Sequence, residues 1–183
     1  DEGRSLLEIL KSFSPDFRQP YPIIAAKVNN VCQGLKYRAF NSRQVEFLDY
    51  TSYIGRSVYC NSLCFLVCKA AADVFPGCRV VLRRPISKGY FCSIDKGDGT
   101  ELSSYDLEMI KERMAALVEA DIPFRRHEVL LDEAIELFRS LGYADKVRLL
   151  ETSGDVYVNY YTLEDTPDYY YEALLPSTGN LKV

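Results

Sequence analysis

The stretch SVYCNSLCFLVCKAAADVFPG, residues 57–77, decides the fold of this chain. Its mostly apolar and small side chains predict one long helix from Ser57 to Val74. The Pro76-Gly77 pair ends this helix, because proline cannot continue it and glycine suits the position after it. We place a domain boundary just ahead of the helix, near Tyr53. The chain is therefore expected to contain a small unit and a larger domain, at 1–52 and 53–183.

The first 52 residues hold one helix pattern and two strand patterns. A short helix is predicted between Gly3 and the Ser14-Pro15 pair, which ends it. Strands are predicted at 22–28, closed by a turn at Asn29-Asn30, and at 45–49. One helix and two strands cannot cover both faces of a sheet, so we expect a hairpin ahead of the first residue to complete this unit.

Beyond the long helix, helix and strand patterns do not alternate strictly. This favours an α+β fold over a doubly wound sheet. A helix over 103–120 is predicted to begin with a capping box at Ser103, in which Asp106 replaces the usual Glu. The other predicted elements are strands at 78–83, 89–94, 124–129, 156–161 and 168–172, helices at 131–141 and 144–150, and a turn at 95–100.

Composition and charge exclude several classes of protein. The 183 residues are 48% hydrophobic and 26% charged, which is typical of a globular chain with a sizeable core. The sequence has no run of about 18 apolar residues, so no membrane span is expected. Its acidic first residues lack the basic-then-apolar layout of a signal peptide. We therefore expect a cytoplasmic protein with reduced cysteines and no membrane partner. A net charge of −4 and a pI near 5.2 argue against strong non-specific binding of nucleic acid, but leave a local basic patch open.

Cysteine and histidine, which often act in catalysis or bind metals, form no catalytic motif in this sequence. Cys60, Cys64 and Cys68 recur on one helix stripe, which fits either core packing or a thiolate metal site. Their spacing differs from the C-x2-C spacing of zinc ligands, so no metal site is expected. His127 is the only histidine and is expected on the solvated surface. No phosphate-binding G-x4-G-K-[ST] loop occurs.

Two sets of side chains are candidates for contact with nucleic acid. A basic cluster around Pro85 fits either phosphate contacts or a solvated strand edge that discourages strand addition. A group of tyrosines near the end fits either base stacking or ordinary sheet composition. The basic cluster consists of Arg79, Arg83, Arg84 and Lys88. The tyrosines are Tyr157, Tyr160, Tyr161, Tyr169, Tyr170 and Tyr171.

The order of several segments resembles the N-terminal half of threonyl-tRNA synthetases. Those segments are 23–30, 45–49, 74–77, 86–91, 138–147 and 175–179. The first two look like strands of a TGS domain, which is a β-grasp module, and the others look like the synthetase editing domain. The resemblance covers nearly the whole chain. It implies a truncated β-grasp (TGS-like) unit followed by an α+β domain like the editing domain.

The chain departs from the editing pattern at its four signature positions. The family carries an H-x3-H pair on the first helix and a C-x3-H pair near the end of the domain. Here those positions hold Phe65, Lys69, Tyr170 and Leu174. The family's editing Lys and Asp persist as Lys146 and Asp168, but these two cannot replace imidazoles that position water and the ester. The resemblance therefore implies a preserved fold without hydrolytic editing, and no catalytic residue is expected.

Other segments look like a group of bacterial uridine kinase-like proteins, which carry such a region ahead of a P-loop kinase domain. Those segments are 47–49, 62–66, 110–114 and 176–179. This resemblance implies a kinase domain beyond Val183 that uses ATP and Mg to phosphorylate a nucleoside. It implies no cofactor in the present residues, and it makes the missing kinase domain their partner.

Three hypotheses follow for the function of these residues. The first is a non-catalytic regulatory region of a nucleoside kinase, whose cleft binds a nucleoside or nucleotide. The second is a tRNA-binding or interaction module derived from an editing domain, and the third is an aminoacyl-tRNA hydrolase with altered chemistry. A structural ion pair between Lys146 and Asp168 is the alternative to ligand binding there. The candidate cleft residues are Phe65, Lys69, Lys146, Asp168, Tyr170 and Leu174.

Overall fold

A computed structural model describes residues 3–13, 21–40, 44–86 and 89–183, with the backbone alone at 84–86. The chain divides into two compact units. The first unit is Asp1–Pro123 with Glu172–Val183, and the second unit is Phe124–Tyr171. The second unit is thus inserted into the sequence of the first. This division does not fall near Tyr53, and the boundary placed there stays a prediction.

The first unit contains four helical segments and seven strands among the described residues. Its strands are β1 (Arg4–Ser5), β2 (Ile23–Val28), β3 (Val31–Gly34), β4 (Arg38–Ala39), β5 (Val45–Asp49), β6 (Arg79–Ile86) and β7 (Gly89–Asp95). Its helices are α1 (Leu6–Ser12), α2 (Tyr53–Val74) and α3 (Ser104–Glu119), with a 3-10 turn at Thr178–Asn180.

The second unit is a three-stranded sheet with two helices on it. Its elements are β8 (Phe124–Leu130), α4 (Leu131–Ser140), α5 (Ala144–Glu151), β9 (Tyr157–Leu163) and β10 (Thr166–Asp168). The strands are antiparallel in the order β10-β9-β8. Phe138 of α4 is fully buried in a core with Val147 and Leu150 of α5 and Val158 of β9. The α+β class predicted from the sequence is confirmed.

The predicted capping box at the start of α3 is confirmed. Ser103 Oγ accepts a hydrogen bond from the Asp106 backbone N–H, and the Asp106 carboxylate accepts one from the Ser103 N–H. The bond from the Ser103 N–H and the Lys96 ammonium, 3.0 Å away, hold the pKa of the Asp106 carboxyl below its usual range. The long helix α2, in contrast, begins at Tyr53 rather than at Ser57. Its cap is Ser52, whose Oγ accepts from the Gly55 N–H at 3.0 Å.

A central three-stranded sheet of order β3-β2-β5 organises the start of the first unit. The predicted turn at Asn29-Asn30 joins β2 to β3, with φ of 49° and 67°. Such positive φ values are those that a two-residue hairpin turn requires, and Asn tolerates them. The strand β3 was missed in the sequence, because four residues containing Gln33 and Gly34 carry too little pattern.

Both faces of this sheet are covered within the first unit. On one face Leu6 of α1 packs with Ala26 and Val28 of β2. Ala25 of β2 and its partner Leu48 of β5 face the other side and are buried too, and α2 contacts both strands. A Cβ at Gly34 would lie 3.4 Å from the Leu174 carbonyl, so the backbone at 174 also covers β3. The hairpin expected ahead of the first residue stays a prediction.

The predicted strand at 168–172 is wrong. The chain turns at Glu164, with φ of 53°, and β10 pairs Thr166 with Leu163 and Asp168 with Tyr161. The strand therefore lies before most of the predicted range and ends at Asp168. Three consecutive tyrosines after that point, Tyr169, Tyr170 and Tyr171, resembled a strand by composition, but they lie outside the sheet.

The α2 helix is long and apolar enough to cross a membrane by length and composition. Core helices of soluble proteins pass the same test, and 39% of the most apolar window is buried inside the structure. This helix is therefore weak evidence for a membrane span. The cytoplasmic location stays a prediction.

The segment after residue 171 returns to the first unit and is fixed there by buried hydrogen bonds. Thr178 is fully buried; its Oγ1 donates to the Leu117 carbonyl and accepts from the Ile122 N–H at 2.8 Å. Its backbone N–H donates to the Ile122 carbonyl at 2.9 Å. One side chain thus joins this segment to the end of α3 and the residues after it.

We expect Thr178→Val to lower the free energy of unfolding by about 2–3 kcal/mol. Valine fills nearly the same volume but leaves the Leu117 carbonyl and the Ile122 N–H without their buried partner. Urea unfolding followed by circular dichroism measures the change. Thr152→Val is the control, because its hydroxyl is exposed and water replaces its bonds. If both variants lose the same small amount of unfolding free energy, the stabilising role assigned to Thr178 is contradicted.

Candidate functional site

Three of the predicted cleft residues lie in the first unit and are buried there. Phe65 is 0%, Leu174 3% and Lys69 4% exposed. The Lys69 ammonium donates to Asp73 Oδ1 at 2.8 Å, one turn further along α2. The second Asp73 oxygen accepts from Arg113 Nε of α3, also at 2.8 Å. Lys69 is therefore a buried cation in a network that joins two helices.

The other three predicted cleft residues lie in the second unit. Lys146 Nζ of α5 and Asp168 Oδ1 of β10 form an ion pair. The same Asp168 oxygen accepts from the Tyr169 N–H at 2.6 Å, and Lys146 Nζ lies 5.4 Å from the centre of the Tyr143 ring. Tyr170 is half-buried. The structure thus shows the ion pair that was the alternative to ligand binding, while a cleft shared by all six residues stays a prediction.

The three cysteines on α2 are half-buried rather than fully packed in the core. Burial raises the pKa of Cys60, and it raises the pKa of Cys64 to about 11. These thiols stay protonated near neutral pH, whereas both nucleophilic attack and metal ligation need the thiolate. Within the described ranges, no group of three or more His, Cys, Asp or Glu side chains is placed to hold a metal ion.

His127 is not the solvated surface residue that the sequence predicted. It is half-buried on β8 and stacks on Tyr160 of β9, with ring centres 4.9 Å apart and planes 18° apart. Its Nε2 is 2.9 Å from Thr162 Oγ1. The cross-strand pairing of His127 with Tyr160 explains the burial, and this pairing is a property of register that a single sequence does not display.

The tyrosines near the end of the chain do not form one stacking surface within the second unit. Tyr160 and Tyr169 pack against the core of that unit, and Tyr161 is 6% exposed. Tyr157 and Tyr171 are 61% and 91% exposed. Neighbouring strand residues face opposite sides of a sheet, so Tyr160 and Tyr161 cannot present their rings together.

The basic cluster lies on the β6–β7 hairpin, which is a two-stranded antiparallel sheet. Arg79 and Arg83 are exposed on β6. The side chain of Arg84 and all of Lys88 lie outside the described residues. Strand alternation places Arg79, Arg83 and Phe91 on one face, which we call the outer face of the hairpin.

Phe91 is a member of this surface that was not foreseen from the sequence. Its side chain is 51% exposed although it lies in a strand between two residues that turn the other way. On that other face lies Tyr90, which is 48% exposed and lies near the Cys60 thiol of α2. Side chains in GYFCSID, residues 89–95, alternate between two faces of a strand, which could have indicated the position of Phe91. Both faces carry hydrophobic residues, however, so the sequence does not show which face is exposed.

Comparison with known proteins gives a consistent result. The chain is similar to threonine–tRNA ligases. It is 29% identical to the ligase of Desulforamulus reducens over 181 residues, which is 98% of this chain and 28% of that protein. It is 28% identical to the ligase of Syntrophomonas wolfei over 99% of the chain, and 32% identical to that of Syntrophotalea carbinolica over 87%.

The chain spans about a quarter of the length of these ligases, from 25% to 28%. No protein-family profile matches it. The similarity extends over almost the whole chain, in agreement with the TGS-like and editing-like resemblance. It gives no support to the nucleoside-kinase resemblance. The kinase domain, its ATP and Mg, and a nucleoside ligand therefore stay predictions, which a G-x4-G-K-[ST] motif in the gene beyond Val183 would test.

Proposed function

We propose that this chain is a tRNA-binding module related to threonine–tRNA ligases and that it does not catalyse editing. One observation carries the proposal: similarity to these ligases continues over 98–99% of the chain. The name of each of those proteins includes tRNA as its substrate. A segment that keeps this similarity while it loses the reactive side chains is best explained by retained binding.

The four signature positions support the non-catalytic part of the proposal. Phe65 and Leu174 are buried apolar side chains, which neither position water nor transfer a proton. Lys69 is held by Asp73. The remaining Lys146 and Asp168 bind each other. None of these groups is a neutral imidazole, which is the side chain best suited to acid–base chemistry near pH 7.

The outer face of the β6–β7 hairpin supports the binding part of the proposal. Exposed arginines make charge-assisted hydrogen bonds with phosphate oxygens, often two at a time. The segment from Arg79 to Asp95 carries four basic residues and one acidic residue, in a chain whose net charge is −4. This hairpin is therefore a local basic patch of the kind that the acidic composition left open.

We expect the Arg79→Ala/Arg83→Ala double variant to bind deacylated tRNA about 10-fold more weakly than the unchanged chain. For each phosphate contact that is lost, fewer counterions are released from the RNA when the protein binds. The slope of log affinity against log salt should therefore fall by roughly 1.5–2. Fluorescence anisotropy of labelled tRNA over a salt series measures both quantities.

The matched control is the Arg139→Ala/Arg148→Ala double variant, which removes two exposed arginines from the second unit. Equal losses in the two double variants would show a non-specific charge effect, and absence of tRNA binding would refute the proposal. A parallel assay follows release of amino acid from mischarged tRNA. Release faster than in buffer, abolished by Lys146→Ala, would favour the hydrolase hypothesis instead.

A further inference from the structure

We propose that the outer face of the β6–β7 hairpin binds an unpaired RNA strand, with one base stacked on Phe91 and the adjoining phosphates at Arg79 and Arg83. The inference rests on the proposed tRNA binding and specifies which form of RNA this surface takes. Aromatic rings stack on bases of any sequence, because every base has a flat face. In a duplex those faces are covered by neighbouring bases, so stacking selects unpaired nucleotides.

The hairpin register separates an inner face from an outer face. Leu82 pairs with Cys92 and Val80 with Ile94; these half-buried residues lie on one face of the hairpin, and α2 contacts β6. The inner face is therefore the one turned toward α2. Phe91 lies on the opposite face, with half of its side-chain surface exposed.

An irregularity in the backbone pairing lies beside this ring. The register shifts between Leu82 and Pro85: Leu82 pairs with Cys92, and Pro85 pairs with Tyr90. Two β6 residues, Arg83 and Arg84, therefore lie opposite the single residue Phe91. Such a bulge bends its strand, increases its twist and redirects side chains, and bulges are common beside functional sites.

Among its described residues, the outer face carries two arginines against one carboxylate, that of Asp95, which pairs with Arg79; its net positive charge and its spacing suit a polyanion. Arg79 and Arg83 are four residues apart on one strand, which is about 13 Å. Both are exposed, and Phe91 lies across from Arg83, so an RNA strand would run along β6 from Arg79 to the ring. A flat ring beside guanidinium groups matches the base and phosphate of a nucleotide, which every nucleotide of an RNA strand supplies together.

The chain contains no tryptophan, which makes a direct test available. Phe91→Trp places a single indole at the proposed stacking position. An unstructured adenine-rich RNA of about eight nucleotides is the probe. Stacking should quench the fluorescence of this introduced indole, whereas the indole of Tyr105→Trp, on an exposed residue of α3, should stay unquenched.

Affinity gives the second readout. We expect Phe91→Ala and Phe91→Leu to bind the same RNA roughly 5- to 100-fold more weakly with an unchanged salt slope, since stacking contributes about 1–3 kcal/mol per base. A fully paired RNA of equal charge should compete poorly. Because the side chain is half exposed, both variants should keep the melting temperature of the unchanged chain, which is checked first.

The two proposals fail in different ways. If tRNA binds through Arg79 and Arg83 but the Phe91 variants bind like the unchanged chain, or duplex RNA competes equally well, the stacking inference is overturned and tRNA binding stands. If neither tRNA nor single-stranded RNA binds, both are overturned. Quenching in Phe91→Trp together with weaker binding by Phe91→Ala and Phe91→Leu supports the inference.

Discussion

Gly55→Ala is expected to lower the free energy of unfolding by about 3 kcal/mol, or the melting temperature by roughly 6–12 °C. In most helices a change from glycine to alanine stabilises the protein, because the helix propensity of alanine is better than that of glycine by about 1 kcal/mol. Here a Cβ would collide with the Asp49 carbonyl and would lie 2.8 Å from Ser52 Oγ. The first turn of α2 touches the end of β5, and only glycine allows that approach.

Thermal and urea unfolding of the variant measure this effect. Gly89→Ala is the matched control, since no atom of the described residues lies within 4 Å of a Cβ built at Gly89. That variant is expected to change stability by no more than about 0.5 kcal/mol. A stabilised Gly55→Ala chain would mean that α2 and β5 do not meet as closely as described.

Asp73→Ala is expected to destabilise the chain by about 2–4 kcal/mol, because it removes the carboxylate that holds the buried ammonium of Lys69. Arg113 loses its bond to this carboxylate in the same change. Lys69→Met should cost far less, within about 1 kcal/mol, since methionine keeps the apolar stem and removes the charge together with its desolvation penalty. The asymmetry between the two variants is the expected signature of a buried cation.

Denaturant unfolding of both variants tests this asymmetry. Glu108→Ala is the control: its pair with Lys111 is also on one helix, but the two side chains are 63% and 68% exposed. An exposed pair contributes at most about 1 kcal/mol. If Lys69→Met lowers the free energy of unfolding as much as Asp73→Ala does, the charge of Lys69 itself stabilises the two helices. That result would contradict the free-energy cost that we assign to burying this charge.

Local signals predicted most of the elements. The capping box at Ser103 and the turn at Asn29-Asn30 depend on residues within a few positions of each other, and both are confirmed. The start of α2 was misplaced because Gly55, a poor helix former, lies in its first turn. The strand predicted at 168–172 failed for the opposite reason, since a run of three tyrosines, which are common in strands, follows the point where β10 has already ended.

The candidate site was predictable in part. The identity of the residues at the four positions compared with the editing signature is read from the sequence, and the Lys146–Asp168 pair was one of two stated alternatives. The half-buried stack of His127 on Tyr160 and the exposure of Phe91 were not foreseen. Each depends on strand register or on which sheet face another element covers, and a single sequence specifies neither.

The sequence by itself determined the α+β class, the local basic charge at Arg79 and Arg83, and the absence of a P-loop motif and of a second histidine. The tertiary structure alone decided that the second face of the β2 sheet is covered by α2 and the segment near Leu174, and that Phe91 faces outward opposite a bulge. The physical reason is the separation along the chain between the residues that interact. Caps, turns and charges act between residues close in sequence, whereas burial is decided by surfaces that the chain brings together from distant positions.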